Sequence, residues 1–187
     1  TSDHQMNRVV IIGGGPGGYE AALVAAQLRA RVTIVDSDGI GGSAVLTDCV
    51  PSKTLIATAE VMAELATADA LGVKLVDQDG DVATSAQVDL KQLNQRVKKL
   101  ATDQSSDITA RLIREGVRIV PGRGRLDGVG SVIATLPDGT EERIGADMIL
   151  LATGASPRVV AAAQPDGERI LTWEQVYDLT QSPDHLI

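Results

Sequence analysis

Gly13, Gly15 and Gly18 follow the apolar run RVVII (8–12) at Gly-x-Gly-x-x-Gly spacing, and the Ala- and Leu-rich run YEAALVAAQLRA (19–30) comes directly after them. A strand that turns sharply into a helix needs residues without side chains at three points. The turn must be tight, the backbone must come close to a pyrophosphate, and the helix must pack close to the strand. The pyrophosphate then lies on the amino end of the helix, where free N–H groups and the helix dipole attract an anion. Gly13, Gly15, Pro16, Gly17 and Gly18 are therefore the candidate phosphate cradle. A second strand, RVTIV (31–35), ends at Asp36, 23 residues beyond Gly13, where an acidic side chain can bind ribose hydroxyls. In this order, strand, glycine turn, helix, strand and acid read as a dinucleotide-binding βαβ unit rather than a structural turn. The motif alone does not separate FAD from NAD.

The other elements extend this unit. Residues 37–43 form a Gly-rich loop, and 43–70 carry a helical pattern that Val50-Pro51 should restart or kink. A polar, Asp-rich stretch follows at 77–81. Residues 88–115 place Leu90, Leu93, Val97, Leu100, Ile108, Leu112 and Ile113 at helical spacing. That pattern predicts one long amphipathic helix, with a potential break at Ser105-Ser106 and a stop at Gly116. Val117–Val120 reads as a third strand. The short runs GRGRLDG, SVIATLP and EERIGA, joined by Asp-Gly or Gly-rich turns, predict an antiparallel meander. MILLA (148–152) is a further apolar strand running into Thr153-Gly154, at the carboxyl edge where ligands of α/β sheets collect. A short helix, TWEQVYDL, is predicted from Thr172, with Glu174 and Gln175 in its first turn. The fold class is α/β: a Rossmann-like parallel sheet of RVVII, RVTIV, VRIV and MILLA, with a small antiparallel meander beside it.

Composition narrows the function. A chain of 187 residues holds one ordinary domain and little more, and 43% apolar residues suffice for a core. With no Phe, two Tyr and one Trp, that core must be aliphatic, as buried parallel strands prefer. The net charge of −8 argues against nucleic-acid binding. Arg96, Lys98 and Lys99 read as a solvated helix face. No stretch approaches the roughly 18 to 20 apolar residues of a transmembrane segment. Residues 1–8 lack the apolar core of a secretory signal. A single cysteine leaves no intrachain disulfide and points to the cytoplasm. His4 and His185 have no metal-ligand spacing, so no metal site is expected.

The segment GGSAVLTDCVPSK (41–53), with GGGPGGYEAA before it and ATGASP after it, closely resembles the pyridine nucleotide–disulfide oxidoreductase family, whose pattern is GG-x-C-x4-C-x-P-S-K. The meander with Gly122-Arg123-Gly124 falls where that family inserts one, so the resemblance covers nearly the whole chain. It implies FAD as the bound cofactor and NADH or NADPH as hydride donor. It adds Gly42, Ser43, Gly124, Thr153 and Gly154 to the cofactor-binding residues. It implies a catalytic role for Lys53, because the family's PSK lysine lies beside the flavin N5 edge and pairs with a glutamate of the next domain. A fixed cation there favours the anionic reduced flavin; without that context Lys53 is a solvated helix lysine.

Ala44 departs from the pattern. The family's first cysteine falls there and only Cys49 is present, whereas disulfide exchange needs an attacking thiolate and a second sulfur. The resemblance therefore narrows to the disulfide-lacking branch described as NAD(P)H:quinone reductases, with a quinone or similar acceptor. Cys49 reads as a small buried hydrophobe rather than a redox group. The alternatives are a dihydrolipoamide dehydrogenase relative with another thiol arrangement and a non-catalytic FAD-binding module. The resemblance divides the chain into a first FAD-binding segment, 1–155, and a connection, 156–187, into a nicotinamide-binding domain cut soon after its first strand begins. It implies a homodimer for the full-length enzyme. The 187-residue chain alone is expected to bind FAD weakly and to leave NADH and NADPH unoxidised.

Overall fold

The computed structural model of the chain describes residues 7–77, 79–83 and 86–187, and His4 lies outside them. The chain groups into two compact units, Thr1–Asp48 with Ala101–Arg158 and Cys49–Leu100 with Val159–Ile187. The elements begin with β1 (Arg8–Ile12), α1 (Pro16–Gln27), β2 (Arg31–Asp36), α2 (Gly42–Leu46), α3 (Cys49–Thr67) and α4 (Leu90–Arg114). The strands β3 (Arg118–Pro121), β4 (Arg123–Leu126), β5 (Ser131–Thr135), β6 (Glu141–Gly145) and β7 (Met148–Leu151) follow.

The first unit is built on a parallel sheet in the order β3-β2-β1-β7. Val9, Ile11, Val32 and Ile34 face one way and pack with Ala22 and Leu23 of α1 and Leu112 of α4. Val10, Ile12, Val35 and Val120 face the other way and pack with Val132, Ala134 and Ile144. Those last three belong to the antiparallel sheet β4-β5-β6. The meander expected beside the parallel sheet thus lies on its face, doing what a second helical layer does elsewhere. Both faces of β1 and β2 are covered, which is why their sequences are continuously apolar instead of alternating.

Three boundaries differ from the sequence reading, each for a local reason. The first helix begins at Pro16, three residues ahead of Tyr19. Proline presets the helical φ at the first position and needs no N–H there, and the Tyr19 N–H donates to the Gly15 carbonyl at 2.9 Å. The 43–70 pattern splits at Thr47-Asp48 rather than at Val50-Pro51. Pro51 then falls in the first turn of α3, where its missing N–H costs nothing. Finally, α4 runs through Ser105-Ser106 unbroken. The Ser106 hydroxyl donates back to the Thr102 carbonyl at 2.9 Å and Ser105 donates to the Ile40 carbonyl at 2.5 Å, so one hydroxyl is compatible with the helical turn and the other bonds outside it.

In the second unit, α3 leads into a 3₁₀ turn, Ala68–Leu71. Val76 and Val82, on either side of the Asp-rich stretch, pair in an antiparallel bridge, and the Asp77 N–H donates to the Asp81 carbonyl at 2.8 Å. The segment predicted as a helix from Thr172 is a 3₁₀ helix, Trp173–Asp178. A capping box holds its first turn. Within it the Thr172 N–H donates to Gln175 Oε1 at 2.8 Å. Asn94 Nδ2 donates to the carbonyls of Val176 and Leu179 at 3.3 and 2.7 Å, and Lys98 pairs with Asp178. His185 is exposed. Among the described residues no helix is long and apolar enough to cross a membrane.

At the amino edge of the parallel sheet Arg8 and Asp147 close the β1–β7 pair. The Asp147 carboxylate accepts from the Arg8 guanidinium at 2.7 Å and from the Arg8 backbone N–H at 2.8 Å. The guanidinium bond first, and the backbone bond second, hold the Asp147 carboxyl down to about 2 from an ordinary 3.8. A folded-state value below the unfolded one stabilises above the unfolded value, and the gain is lost as pH falls through the folded one. Thermal midpoints of the parent and Asp147→Asn should therefore differ at pH 7 and converge between about pH 4 and pH 2. A gap that stays constant over that range would deny the pair this role.

Candidate functional site

The carboxyl ends of β1, β2 and β7 lie side by side, because Ile12 is in register with both Val35 and Leu151. Each strand then delivers a predicted site segment to one edge: Gly13–Gly18 from β1, Asp36 from β2, and Thr153-Gly154 from β7. Gly13 turns out of β1 with φ +108°, and its N–H donates to the Val35 carbonyl at 2.9 Å. A Cβ on Gly13 would stand 2.1 Å from the Ala152 carbonyl oxygen, and one on Gly18 would stand 1.9 Å from the Gly13 carbonyl oxygen. Both distances are far inside contact. These two glycines bring the strand, the helix and the β7 loop together.

Gly15 and Gly17 differ from them. Gly15 is the residue before α1, in an extended conformation that any residue adopts, and a Cβ there would meet only Gly42 Cα at 3.9 Å. A Cβ on Gly17 would meet nothing within 4 Å. The protein's own packing does not account for the missing side chains at these positions. They leave open the space before the amino end of α1, which has Pro16 in its first turn and no side-chain cap. The N–H groups of Gly15 and Gly17, which bond to no described residue, the helix dipole and the absent side chains make a cradle for a phosphate.

Asp36 organises the neighbouring loop. Its Oδ2 accepts the Gly14 N–H at 2.6 Å, and its Oδ1 accepts the N–H groups of Asp38 and Gly39 at 2.9 and 2.6 Å. A carboxylate has about four acceptor positions, so one remains for a ligand hydroxyl. The Gly41 N–H donates to the Gly14 carbonyl at 2.8 Å, and a Cβ on Gly42 would stand 2.8 Å from Gly15 Cα. The Gly39–Gly42 loop is therefore laid directly against the Gly13–Gly15 loop. The Ser105 hydroxyl, bonded to the Ile40 carbonyl, anchors it from α4.

Gly14, Ile40, Gly41 and Ser105 hold the two loops, and none of them was a candidate site residue in the sequence. The signal for Gly14 was its place inside the glycine run; Ser105 offered none. Ser43 is exposed on α2, and Thr153 and Gly154 are exposed after β7. Gly124 lies in β4, where a Cβ would meet Ile12 Cγ2 at 2.8 Å. It lets the meander approach the sheet. Lys53 is exposed on α3, in the second unit. Cys49, expected to be buried, is exposed at the first turn of α3. The break at Thr47-Asp48 starts a new helix there and leaves its first residue uncovered.

The chain is 51% identical over 191 residues to an NAD(P)H dehydrogenase (quinone) of Mycobacterium tuberculosis, covering 97% of this chain and 38% of that protein. It is 35% identical over 179 residues to a dihydrolipoyl dehydrogenase of Chlorobaculum tepidum, covering 96% of this chain and 36% of that protein. The model of the pyridine nucleotide-disulphide oxidoreductase family matches residues 7–186. The chain belongs to this family. A crystal structure of LpdA from Mycobacterium tuberculosis, 49% identical, superposes with a TM-score of 0.85 over 96% of this chain and 39% of that one. The chain thus spans less than two fifths of the length of these family members.

The two kinds of glycine should respond differently to a methyl group. Gly18→Ala should cost about 2 kcal/mol or more, because backbone must move. Gly15→Ala should cost under about 1 kcal/mol, since its Cβ enters open space. Urea unfolding of both variants checks this; equal losses would mean that Gly15 also serves the fold.

Proposed function

We propose that this chain is the flavin-binding part of an FAD-dependent oxidoreductase that passes hydride from NADH or NADPH to a quinone or similar acceptor. The observation that carries the dinucleotide assignment is the open cradle at Gly15 and Gly17, between packed glycines on either side, and membership of the pyridine nucleotide-disulphide oxidoreductase family supports FAD as that dinucleotide. In this reading Gly13, Gly15, Pro16, Gly17 and Gly18 hold the pyrophosphate, and the free acceptor position of Asp36 takes a ribose hydroxyl. Gly42, Ser43, Gly124, Thr153 and Gly154 complete the cofactor-binding set. FAD, when bound, supplies the two-electron chemistry between the nicotinamide and the acceptor.

The acceptor follows from Ala44. With a methyl group where the family's first cysteine stands, Cys49 has no partner sulfur in this segment, and reducing equivalents must leave without a dithiol relay. The 51% identity to a protein named as a quinone dehydrogenase supports the same choice. The reading includes a first FAD-binding segment at 1–155 with 156–187 leading toward a nicotinamide-binding domain, a homodimeric full-length enzyme and a cytoplasmic location.

Gly15→Val should fold and lose its flavin, read as absorbance at the flavin bands after purification and reconstitution with FAD. Flavin content equal to the parent would overturn the cradle. The full-length protein should reduce quinones with NADH or NADPH and leave lipoamide and glutathione disulfide untouched. Sustained lipoamide turnover would overturn the reading of Ala44.

Lys53 is proposed to place a positive charge near the flavin. Lys53→Met keeps the aliphatic stem and removes the charge, so it should lower the flavin reduction potential and slow its reduction by the nicotinamide. Spectroelectrochemistry and stopped-flow absorbance read the two quantities. If both match the parent, Lys53 is a surface lysine.

A further inference from the structure

A row of arginines lies at the amino edge of the parallel sheet, away from the glycine loops. Arg8 begins β1, Arg31 begins β2 and Arg118 begins β3. The order β3-β2-β1 makes the three strands neighbours, with Arg8 opposite Arg31 and Thr33 opposite Arg118. Side chains alternate along a strand. Arg8 therefore shares a face with Val10 and Ile12, Arg31 and Thr33 with Val35, and Arg118 with Val120. That is the face packed on the meander.

Adjacent strands are about 4.8 Å apart, so the Arg8 and Arg31 stems start one strand spacing apart, and Arg118 starts on the next strand, two residues further along. Acidic partners relieve only part of this charge. Asp147 pairs with Arg8, Glu142 with Arg118 at 2.7 Å, and Asp127 with Arg143 of β6 at 2.7 Å. Arg31, on the central strand of the three, makes no ion pair or side-chain hydrogen bond with any described residue.

These residues line an open cavity of about 480 Å³ between the amino ends of the parallel strands and β6. Arg8, Arg31, Arg118 and Arg143 line it, with Glu142 as the one carboxylate on its wall. In a chain of net charge −8 this is a local reversal of sign. Thr33 also lines the cavity and is only 8% exposed. Its hydroxyl makes no hydrogen bond with any described residue. The hydroxyl oxygen is not itself sealed off from solvent, so it is open to a group held in the cavity.

We propose that this cavity is an anion site for a phosphate or carboxylate group, with Arg31 and Thr33 as its principal ligands. It is distinct from the dinucleotide cradle and does not depend on the flavin reading. Arginine suits the role because its planar fork donates two parallel hydrogen bonds to an oxyanion and its charge does not titrate away. The anion would balance the unpaired charge of Arg31 and accept a hydrogen bond from the Thr33 hydroxyl. Bound there, it would tie β1, β2 and β3 at the edge opposite the glycine loops.

The test titrates the 187-residue chain with phosphate and, separately, with succinate, at an ionic strength held constant with sodium chloride. Amide chemical shifts and the thermal midpoint are followed. Saturable shifts are expected at Arg31, Thr33 and Gly145, together with a rising midpoint. The anion that saturates at the lower concentration identifies the source as phosphate or carboxylate. Arg31→Gln should weaken the binding by about tenfold or more, and Thr33→Val, which keeps the shape and removes the hydroxyl, should weaken it several-fold. If Arg31→Gln does not fold, Thr33→Val carries the comparison. Shifts confined to Gly13–Gly18, a response that chloride reproduces, or variants that titrate like the parent would each overturn the proposal.

Discussion

The carbonyl oxygen of Gly13 occupies the place where a Cβ on Gly18 would have to stand. This contact sets how closely α1 lies on β1, and much of the first unit follows from it. With the helix drawn onto the strand, Ala22 and Leu23 reach the sheet and bury completely or nearly so. The same closeness aims the amino end of α1 along the carboxyl edge of the sheet. It also leaves Gly13 against the β7 loop, so the three strand ends converge. Asp36 then fastens the second loop to the first through three backbone N–H groups. A side chain used this way carries the geometry of the site as well as its charge.

The two faces of the parallel sheet are covered by different means. Helices lie on one and a three-stranded antiparallel meander lies on the other. The meander is thin, and its backbone must come near the sheet for Val132 and Ala134 to bury fully. Gly124 makes that approach possible, which explains a glycine whose position also fits a cofactor contact. Covered on both sides, the strands need no polar alternation, and Ile11 and Ile34 reach zero exposure. An aliphatic core without Phe is sufficient because the layers are close together.

Much of this was legible in the sequence because short-range rules dominate there. Short apolar runs located all four parallel strands, and Asp36 stood where a βαβ unit places its acid. The features that escaped depend on three-dimensional register or on side chains with two options. Nothing in Ser105-Ser106 says whether the hydroxyls will break the helix or bond elsewhere. Ile40 supplied the acceptor for Ser105, 65 residues away. Cys49 was read as buried from its chemistry, but a helix start two residues before Pro51 exposed it. The meander's place on the sheet face and the arginine row became visible only once the strand pairing was known.

The order of the sheet has a consequence for synthesis on the ribosome. Sequence separation grows outward from β1: its partner β2 is made soon after it, β3 joins β2 much later, and β7 pairs Met148 with Val9 last of all. Loop-closure entropy rises with each of these separations, and non-local pairing slows folding. During elongation the nascent βαβ unit has its helix in hand but not its meander. Val10, Ile12 and Val35 therefore face solvent, or a chaperone, until β5 and β6 emerge. Having their cover encoded so far downstream makes these strands the stretch of the nascent polypeptide most exposed to misassociation.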